Sequence, residues 1–174
     1  MVLIDSLSGA HSRVAVTLIR LPSGEKKLLL GDPQYDLSQA RFSPDGRWIA
    51  FSGRTDGAAR LFVAPFRIAT PSASREWIAL TDGSGWDTAP QWSPDGKLVY
   101  FMSTRDGHRC VWAQRLDQGA RPAGAAFAVA HFHTARLAPV LLPFDNMDLY
   151  VGRDQILVSL SEASGNIWSA KVSD

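Results

Sequence analysis

The chain has 174 residues, of which 45% are hydrophobic and 20% are charged, and its formal net charge is +1 at pH 7. This composition is typical of a globular protein with a sizeable core and excludes an intrinsically disordered chain. Near-neutral charge with both signs interspersed gives no electrostatic basis for binding nucleic acid or an anionic membrane. The single cysteine, Cys110, excludes an intrachain disulfide and predicts a buried thiol.

Targeting signals are not visible in the sequence. No apolar stretch approaches the ~18 residues needed to span a bilayer, and the first residues, Met1 to Asp5, lack the basic region of a secretory signal. We therefore expect no membrane insertion and no signal peptide in this chain, and the sequence leaves its compartment open.

The first 30 residues predict three strands. Val2 to Ile4, Val14 to Leu21 and Lys26 to Leu30 are apolar or β-branched runs that are too short for helices, and Pro22 to Gly24 supplies a turn between the last two. These runs resemble the outer strands of a unit whose innermost strand is missing.

A repeat follows. Arg41 to Phe66 (RFSPDGRWIAFSGRTDGAARLFVAPF) returns without a gap, shifted by 50 residues, as Gln91 to Leu116 (QWSPDGKLVYFMSTRDGHRCVWAQRL). In each copy Ser-Pro-Asp-Gly predicts a tight turn, an apolar run follows it, Asp-Gly predicts a hairpin, and a second apolar run comes next. Further runs at Trp77 to Thr81 and Ala126 to Ala130 complete four short strands per unit. Four antiparallel strands in roughly 40 to 50 residues is the size of one β-propeller blade.

The repeat carries a family resemblance. WSPDGKLVYFMSTRDG, preceded by Trp-Asp-Thr-Ala-Pro, resembles the TolB-type (WD-like) β-propeller repeat, which is also similar to the repeats of propellers beside prolyl-oligopeptidase-like hydrolases and at the C-terminal ends of bacterial kinases and regulators. The resemblance implies an all-β fold of radially arranged, four-stranded antiparallel blades. A TolB-like protein would act in the cell envelope, in the periplasm.

We expect about three and a half blades. The predicted units are a partial blade of outer strands (1–30), two blades that each contain Ser-Pro-Asp-Gly (31–81 and 82–133), and a degenerate closing blade (134–174). In the last unit Ile156 to Trp168 repeats the strand-turn-strand pattern, while Pro143 to Met147 stands where the Ser-Pro-Asp-Gly turn is lost. Because a propeller hides its strand edges by closing, we expect either part of a longer protein or a homodimer through the open blade edges.

Candidate binding residues lie in the links that lead into each inner strand. In a propeller these links line one rim of the central channel, where partners commonly dock. The predicted rim residues are Tyr35, Asp36, Trp86, Asp87, His131, His133 and Arg136. The alternative is that Asp36 and Asp87 only bond to neighbouring backbone amides in turns.

Catalytic, metal and cofactor sites are not predicted. The sequence has no Gly-x-Ser-x-Gly elbow and no Asp-x-Asp-x-Asp-Gly calcium loop. His131 and His133 project to one face of a strand, but a metal site would need a third ligand such as Asp145, Asp148 or His108, which the sequence does not place. A polar strand end near the ring surface is the simpler interpretation.

The sequence therefore predicts a non-catalytic module that binds a protein or peptide, as a scaffold, docking or sensory part of a larger bacterial protein. The alternative is the substrate-gating propeller of a prolyl-oligopeptidase-like hydrolase whose catalytic domain is absent from this chain.

Overall fold

The computed structural model describes residues 1–7, 13–133, 137–138 and 149–162. The described secondary structure is a set of antiparallel sheets with one short 3-10 turn, Ser74–Glu76. Alternation of β-branched and aromatic runs with Gly-containing turns accounts for this result, because such runs favour strands and such turns allow immediate reversal.

Three consecutive sheets follow the chain, and each strand pairs with its neighbour in sequence. The first sheet has the strands β1 (Val2–Leu7), β2 (Val14–Arg20) and β3 (Glu25–Leu30). The second has β4 (Asp36–Phe42), β5 (Trp48–Arg54), β6 (Ala59–Pro65) and β7 (Ile78–Ala79). The third has β8 (Thr88–Trp92), β9 (Leu98–Ser103), β10 (Cys110–Arg115) and β11 (Phe127–Ala130).

Two strand pairs are described after the third sheet. Strand β12 (Leu137–Ala138) pairs with β15 (Ser161–Glu162), and β13 (Leu149–Val151) pairs with β14 (Ile156–Val158). Two parts of the predicted closing blade lie outside the described residues: the strand predicted to end at Trp168, and the interval from Pro143 to Met147. The division of the chain into blades at the boundaries given above stays a prediction.

The core lies in layers between neighbouring sheets. Phe51, Ile49 and Leu37 of the second sheet pack with Val16 and Leu30 of the first. On its other side, the second sheet packs against the third through a further buried cluster, whose members include Ala50, Leu61, Val63, Val99 and Phe101. A third cluster joins the third sheet to β13. Sheets that bury both faces against similar sheets are the arrangement of propeller blades, so the predicted all-β propeller fold is confirmed as a partial propeller.

Hydrogen bonds between β1, β4 and β8 tie the first sheet to the second and the second sheet to the third. The backbone amide of Gln39 donates to Oδ2 of Asp5 at 3.2 Å, and the amide of Ala89 donates to Oε1 of Gln39 at 2.8 Å. Gln39 and Ala89 lie in register shifts of β4 and β8 and have positive φ angles of 57° and 52°. The shifts turn these amides away from their own sheets, and the neighbouring sheet supplies the acceptor.

Candidate functional site

The chain presents two faces. In an antiparallel sheet the first turn and the following hairpin lie at opposite ends of the strands. The Ser-Pro-Asp-Gly turns (43–46 and 93–96) and the loop 116–123 therefore lie on one side, which we call the turn face. The links into β4 and β8, the hairpins β5–β6 and β9–β10, and residues 131–133 lie on the other side, which we call the link face.

The two link aspartates are both engaged. Asp36 accepts a hydrogen bond from the Val14 amide and another from Nη1 of Arg13, each at 3.0 Å. The Val14 bond, followed by the contacts with Arg13, lowers the pKa of Asp36 below its ordinary value despite partial burial. Asp87 has no exposed side-chain surface, and Nη2 of Arg105 lies 3.2 Å from each of its carboxylate oxygens.

The two link aromatics, Tyr35 and Trp86, are half-buried. The ring of Tyr35 makes an edge contact with Phe62, with centroids 5.3 Å apart, and lies 6.3 Å from Trp77. The Trp86 amide donates to Oγ1 of Thr104 at 3.0 Å. The contacts seen for Tyr35, Asp36, Trp86 and Asp87 thus anchor the links, and their role in binding stays a prediction. Arg136 lies outside the described residues.

The two predicted histidines meet a carboxylate and a thiol. Oδ2 of Asp106 lies 3.1 Å from Nδ1 of His131 and 3.1 Å from Nε2 of His133, and these two ring nitrogens are 3.1 Å apart. The Sγ of Cys110 accepts a hydrogen bond from the Phe132 amide at 3.4 Å, and all four potential ligand atoms lie within 4.8 Å of one another.

Sequence reasoning missed two members of this cluster. Asp106 was interpreted as a hairpin residue and Cys110 as a buried thiol. Partial burial opposes ionisation of Asp106, but hydrogen bonds from the His108 amide and His133 leave its pKa lower than usual. Burial raises the pKa of Cys110. The antiparallel pairing of β10 with β11 brings the start of β10 beside residues 131–133. This strand pairing is the feature from which the proximity of Cys110 to the two histidines could have been predicted.

On the turn face, the two Ser-Pro-Asp-Gly turns have the same geometry. In each, the serine hydroxyl donates to the aspartate at 2.6 Å and accepts the amide of the following strand, at 3.0 Å for Ser43 and 2.9 Å for Ser93. Both serine hydroxyls therefore hold their turns. The glycines, Gly46 and Gly96, take the positive φ angles of 68° and 72° that the turn requires.

An open groove of about 700 Å³ lies between these two turns. Its apolar part includes the half-buried Trp48, the largely buried Trp92 and the prolines of both turns. Its other lining residues are Ser43, Asp45, Arg47, Asp95, Gly96, Lys97, Leu116, Asp117, Gln118 and Ala120. The groove thus combines two indole rings with a polar margin.

Hydrogen bonds lower the pKa of two carboxylates at the groove margin, Asp45 and Asp95. Hydrogen bonds from the Ser43 hydroxyl and from Arg47 lower the pKa of Asp45 to about 2, and Nε of Arg47 lies 2.6 Å from its carboxylate. The Ser93 hydroxyl and the Lys97 amide lower the pKa of Asp95 in the same way. Asp117, the third acid, accepts the amides of Gly119 and Arg121.

Fold and repeat together define a β-propeller protein built from antiparallel blades. A family model described as the TolB beta propeller domain matches residues 6–153. The chain belongs to the TolB β-propeller domain family, as the repeat predicted.

The chain is also similar to individual proteins and solved structures. An uncharacterized protein of Agrobacterium fabrum, Atu1656, is 30% identical over 76 residues, which are 44% of this chain and 24% of that protein. The putative TolB from Agrobacterium tumefaciens is similar over 92% of this chain and 56% of its own, with a TM-score of 0.62 and 19% identity. TolB from Acinetobacter baumannii is similar over 92% and 38%, with a TM-score of 0.60 and 21% identity.

A more distant likeness, to a prolyl endopeptidase, covers 86% of this chain and 23% of that one, with a TM-score of 0.50 and 18% identity. At these identities the solved structures support the fold alone. The chain spans about a quarter of the curated relative and at most 56% of these solved structures. Among the described residues, no helix has the length and apolarity of a membrane span.

Proposed function

We propose that this TolB-type propeller domain is a non-catalytic docking module, and that its turn-face groove binds an extended segment of a partner protein. One observation carries the proposal: the groove between the turns is open and places the indoles of Trp48 and Trp92 beside ionised carboxylates. Aromatic side chains in a concave surface are the residues that dominate binding energy at protein interfaces.

The lining chemistry specifies the occupant. Prolines and tryptophans on both walls fit an apolar or aromatic side chain of an extended peptide. At the margin, the carboxylate of Asp45 pairs closely with Arg47, at 2.6 Å. Asp95 has a looser partner, because Nζ of Lys97 lies 3.9 Å from its carboxylate. Asp117 accepts hydrogen bonds from backbone amides. A lysine or arginine next to the apolar side chain would therefore face the less neutralised acids.

Those predicted rim residues whose side chains are exposed form a second docking surface of the same proposal. His131 and His133 are exposed on the link face, and Asp36 keeps 21% of its side chain exposed. Docking on either face would make the domain a scaffold, docking or sensory part of a larger bacterial protein of the cell envelope. A homodimer through open strand edges is a further part of this proposal, and light scattering over a wide concentration range tests it.

The prolyl-oligopeptidase alternative has less support. In that case the ring would only filter substrate for a catalytic domain elsewhere. The likeness to a prolyl endopeptidase is one of fold, and the two repeated serines, Ser43 and Ser93, have their hydroxyls bound within their own turns.

The groove is tested by blocking it. A random displayed peptide library is selected against the wild-type chain, and the affinities of the selected peptides are measured by fluorescence anisotropy. Gln118 is exposed and lines the groove, whereas Arg121 is exposed in the same loop and does not. We expect Gln118→Trp to weaken binding about tenfold or more and Arg121→Trp to leave it unchanged.

The selected sequences are expected to contain an aromatic or apolar residue beside a lysine or arginine. Equal affinities for the wild type and Gln118→Trp, or selection of acidic peptides, would overturn the proposal for this groove.

A further inference from the structure

Three of the four histidines of the chain gather at one corner of the link face, where the third sheet ends. His131 and His133 follow β11 directly, and His108 stacks on His133 with ring centroids 4.3 Å apart. Asp106 and Cys110 flank His108 in the hairpin between β9 and β10. The cluster therefore joins a hairpin tip to the end of the outermost strand of the sheet.

The contacts among Asp106, His131 and His133 cannot all be hydrogen bonds. Each imidazole nitrogen has a single in-plane position, which holds either a proton or a lone pair. Nδ1 of His131 and Nε2 of His133 lie 3.1 Å apart. Each of these two nitrogens also lies 3.1 Å from Oδ2 of Asp106. No placement of protons serves three mutual contacts, but one cation between the three atoms attracts all of them.

The spacing suits a tetrahedral metal ion. Metal–nitrogen and metal–oxygen bonds of about 2.0 to 2.1 Å at the tetrahedral angle place ligand atoms about 3.3 Å apart. The observed separations of 3.1 Å need only a small expansion. The Cys110 sulfur lies within 4.8 Å of the other ligand atoms, and an approach to about 3.6 Å from them would bring it to the fourth bond of about 2.3 Å.

We propose that Asp106, Cys110, His131 and His133 form a metal site that binds one zinc ion. Two imidazoles and a thiolate are donors that favour zinc over magnesium or calcium, which prefer oxygen ligands. Four protein ligands complete a tetrahedral shell, so the site is structural and leaves no position for a substrate. The bound ion clamps the β9–β10 hairpin to the end of β11.

The site belongs to this sheet and is not required by the repeat. Asp56 occupies the position of Asp106 one repeat earlier, but Arg60 stands in place of Cys110, and no histidine lies between residues 12 and 107. In that sheet the equivalent hairpin is closed by a hydrogen bond between Thr55 and Ala58. The ligands at 106, 110, 131 and 133 are therefore an addition to the shared blade framework.

Cobalt substitution tests the site with a direct spectroscopic readout. The tag-free chain, reduced, is titrated with Co²⁺ and followed by absorption. We expect saturation at one equivalent, with the visible bands of tetrahedral cobalt and a thiolate-to-cobalt charge-transfer band. Because Cys110 is the only cysteine, that band reports ligation by this residue. Added Zn²⁺ should remove both signals by displacement.

Two of the proposed ligands, His131 and His133, are exposed, so they can be replaced without disturbing the core. The side chains of His131 and His133 are 49% and 45% exposed, so His131→Ala and His133→Ala should fold as the wild type does, by circular dichroism. Each should lose cobalt affinity by about a hundredfold or to below detection. His108→Ala is the matched control: it removes the stacked neighbour outside the ligand set and should keep the charge-transfer band.

Thermal stability supplies a second readout. Zinc should raise the melting temperature of the wild type and leave that of the His131→Ala/His133→Ala double variant unchanged, because only the wild type binds the ion in its folded state. The absence of a charge-transfer band in the wild type, or equal cobalt affinity in the wild type and the double variant, overturns the proposal.

Discussion

Asp87 and Arg105 form a buried ion pair on the link face, with Nη2 of Arg105 3.2 Å from each oxygen of a carboxylate that has no exposed surface. The guanidinium also lies 5.1 Å from the ring centroids of both Phe101 and Trp112. The pair fixes the link into β8 to the hairpin of the same sheet. A residue predicted from the sequence to contact a partner is thus held inside the protein.

Removal of the arginine should destabilise the fold strongly. Arg105→Met leaves the Asp87 carboxylate buried without its counter-ion, and we expect the free energy of unfolding in urea to fall by about 3 to 5 kcal/mol. Arg13→Met breaks the ion pair between Arg13 and Asp36, in which the two side chains are 34% and 21% exposed. Because this pair is partly in contact with water, its loss should lower the free energy of unfolding by about 1 kcal/mol or less. Equal losses would contradict the assigned role of burial.

The hydrogen bond from the Ala89 amide to the Gln39 side chain predicts a local effect on stability and on hydrogen exchange. Gln39→Ala removes the acceptor of the Ala89 amide, and we expect a loss of about 1 to 3 kcal/mol in the free energy of unfolding. Hydrogen exchange should become faster at the Ala89 amide in particular, which NMR resolves. Gln34→Ala is the control, since Gln34 is exposed and its backbone amide, which the substitution keeps, donates to Asp32. Unchanged protection of Ala89 would show that the bond contributes nothing.

Substitution by alanine should destabilise the fold at one glycine of the second sheet, Gly53, and have almost no effect at another, Gly57. A Cβ added at Gly53 would lie 2.8 Å from Cε2 of Phe62 and 3.3 Å from Cδ1 of Tyr35, whereas a Cβ at Gly57 meets nothing within 4 Å. Because Phe62 is packed in the core, Gly53→Ala should cost about 1 to 3 kcal/mol. Gly57→Ala should change the stability by less than about 0.5 kcal/mol. Urea denaturation measures the free energy of unfolding of both variants, provided that their m-values are equal. Equal losses for Gly53→Ala and Gly57→Ala would contradict the prediction.

The first Ser-Pro-Asp-Gly turn should be acid-sensitive. Its carboxylate, Asp45, has a pKa of about 2 in the folded chain against about 3.9 when unfolded. The ionised form therefore stabilises the fold fully above about pH 4, and this contribution is lost as the pH falls towards 2. Wild type and Asp45→Asn should differ in stability at neutral pH and converge only below about pH 2. An NMR titration of Asp45 with an ordinary midpoint would contradict this account.

The repeat was a reliable guide to the fold because its information is local. Ser-Pro-Asp-Gly defines a turn through the φ preference of Pro44 and the positive φ of Gly46, and the apolar run that follows can only be buried between sheets. The same order in the second copy predicts the same hydrogen bonds, which the structure shows within 0.1 Å of one another. The pairing of sheets, and with it the propeller class, follows from this repetition.

The candidate sites were only partly accessible from the sequence. His131 and His133 were recognised as a pair because they lie two positions apart, with Phe132 between them, and so share one face of a strand. Asp106 and Cys110 are more than 20 residues away from them in sequence. The groove on the turn face was not predicted, since it arises from two turns that each look complete by themselves.

By itself, the sequence determined the repeat, its turns and the burial of its strands, because those properties depend on neighbouring residues and on a 50-residue period. Tertiary structure alone decided which polar residues are buried in ion pairs, as Asp87 is, and which meet across strands, as Asp106 and His133 do. Those outcomes depend on the antiparallel pairing of β10 with β11 and on the packing of one sheet against the next, where side chains distant in sequence come within bonding distance.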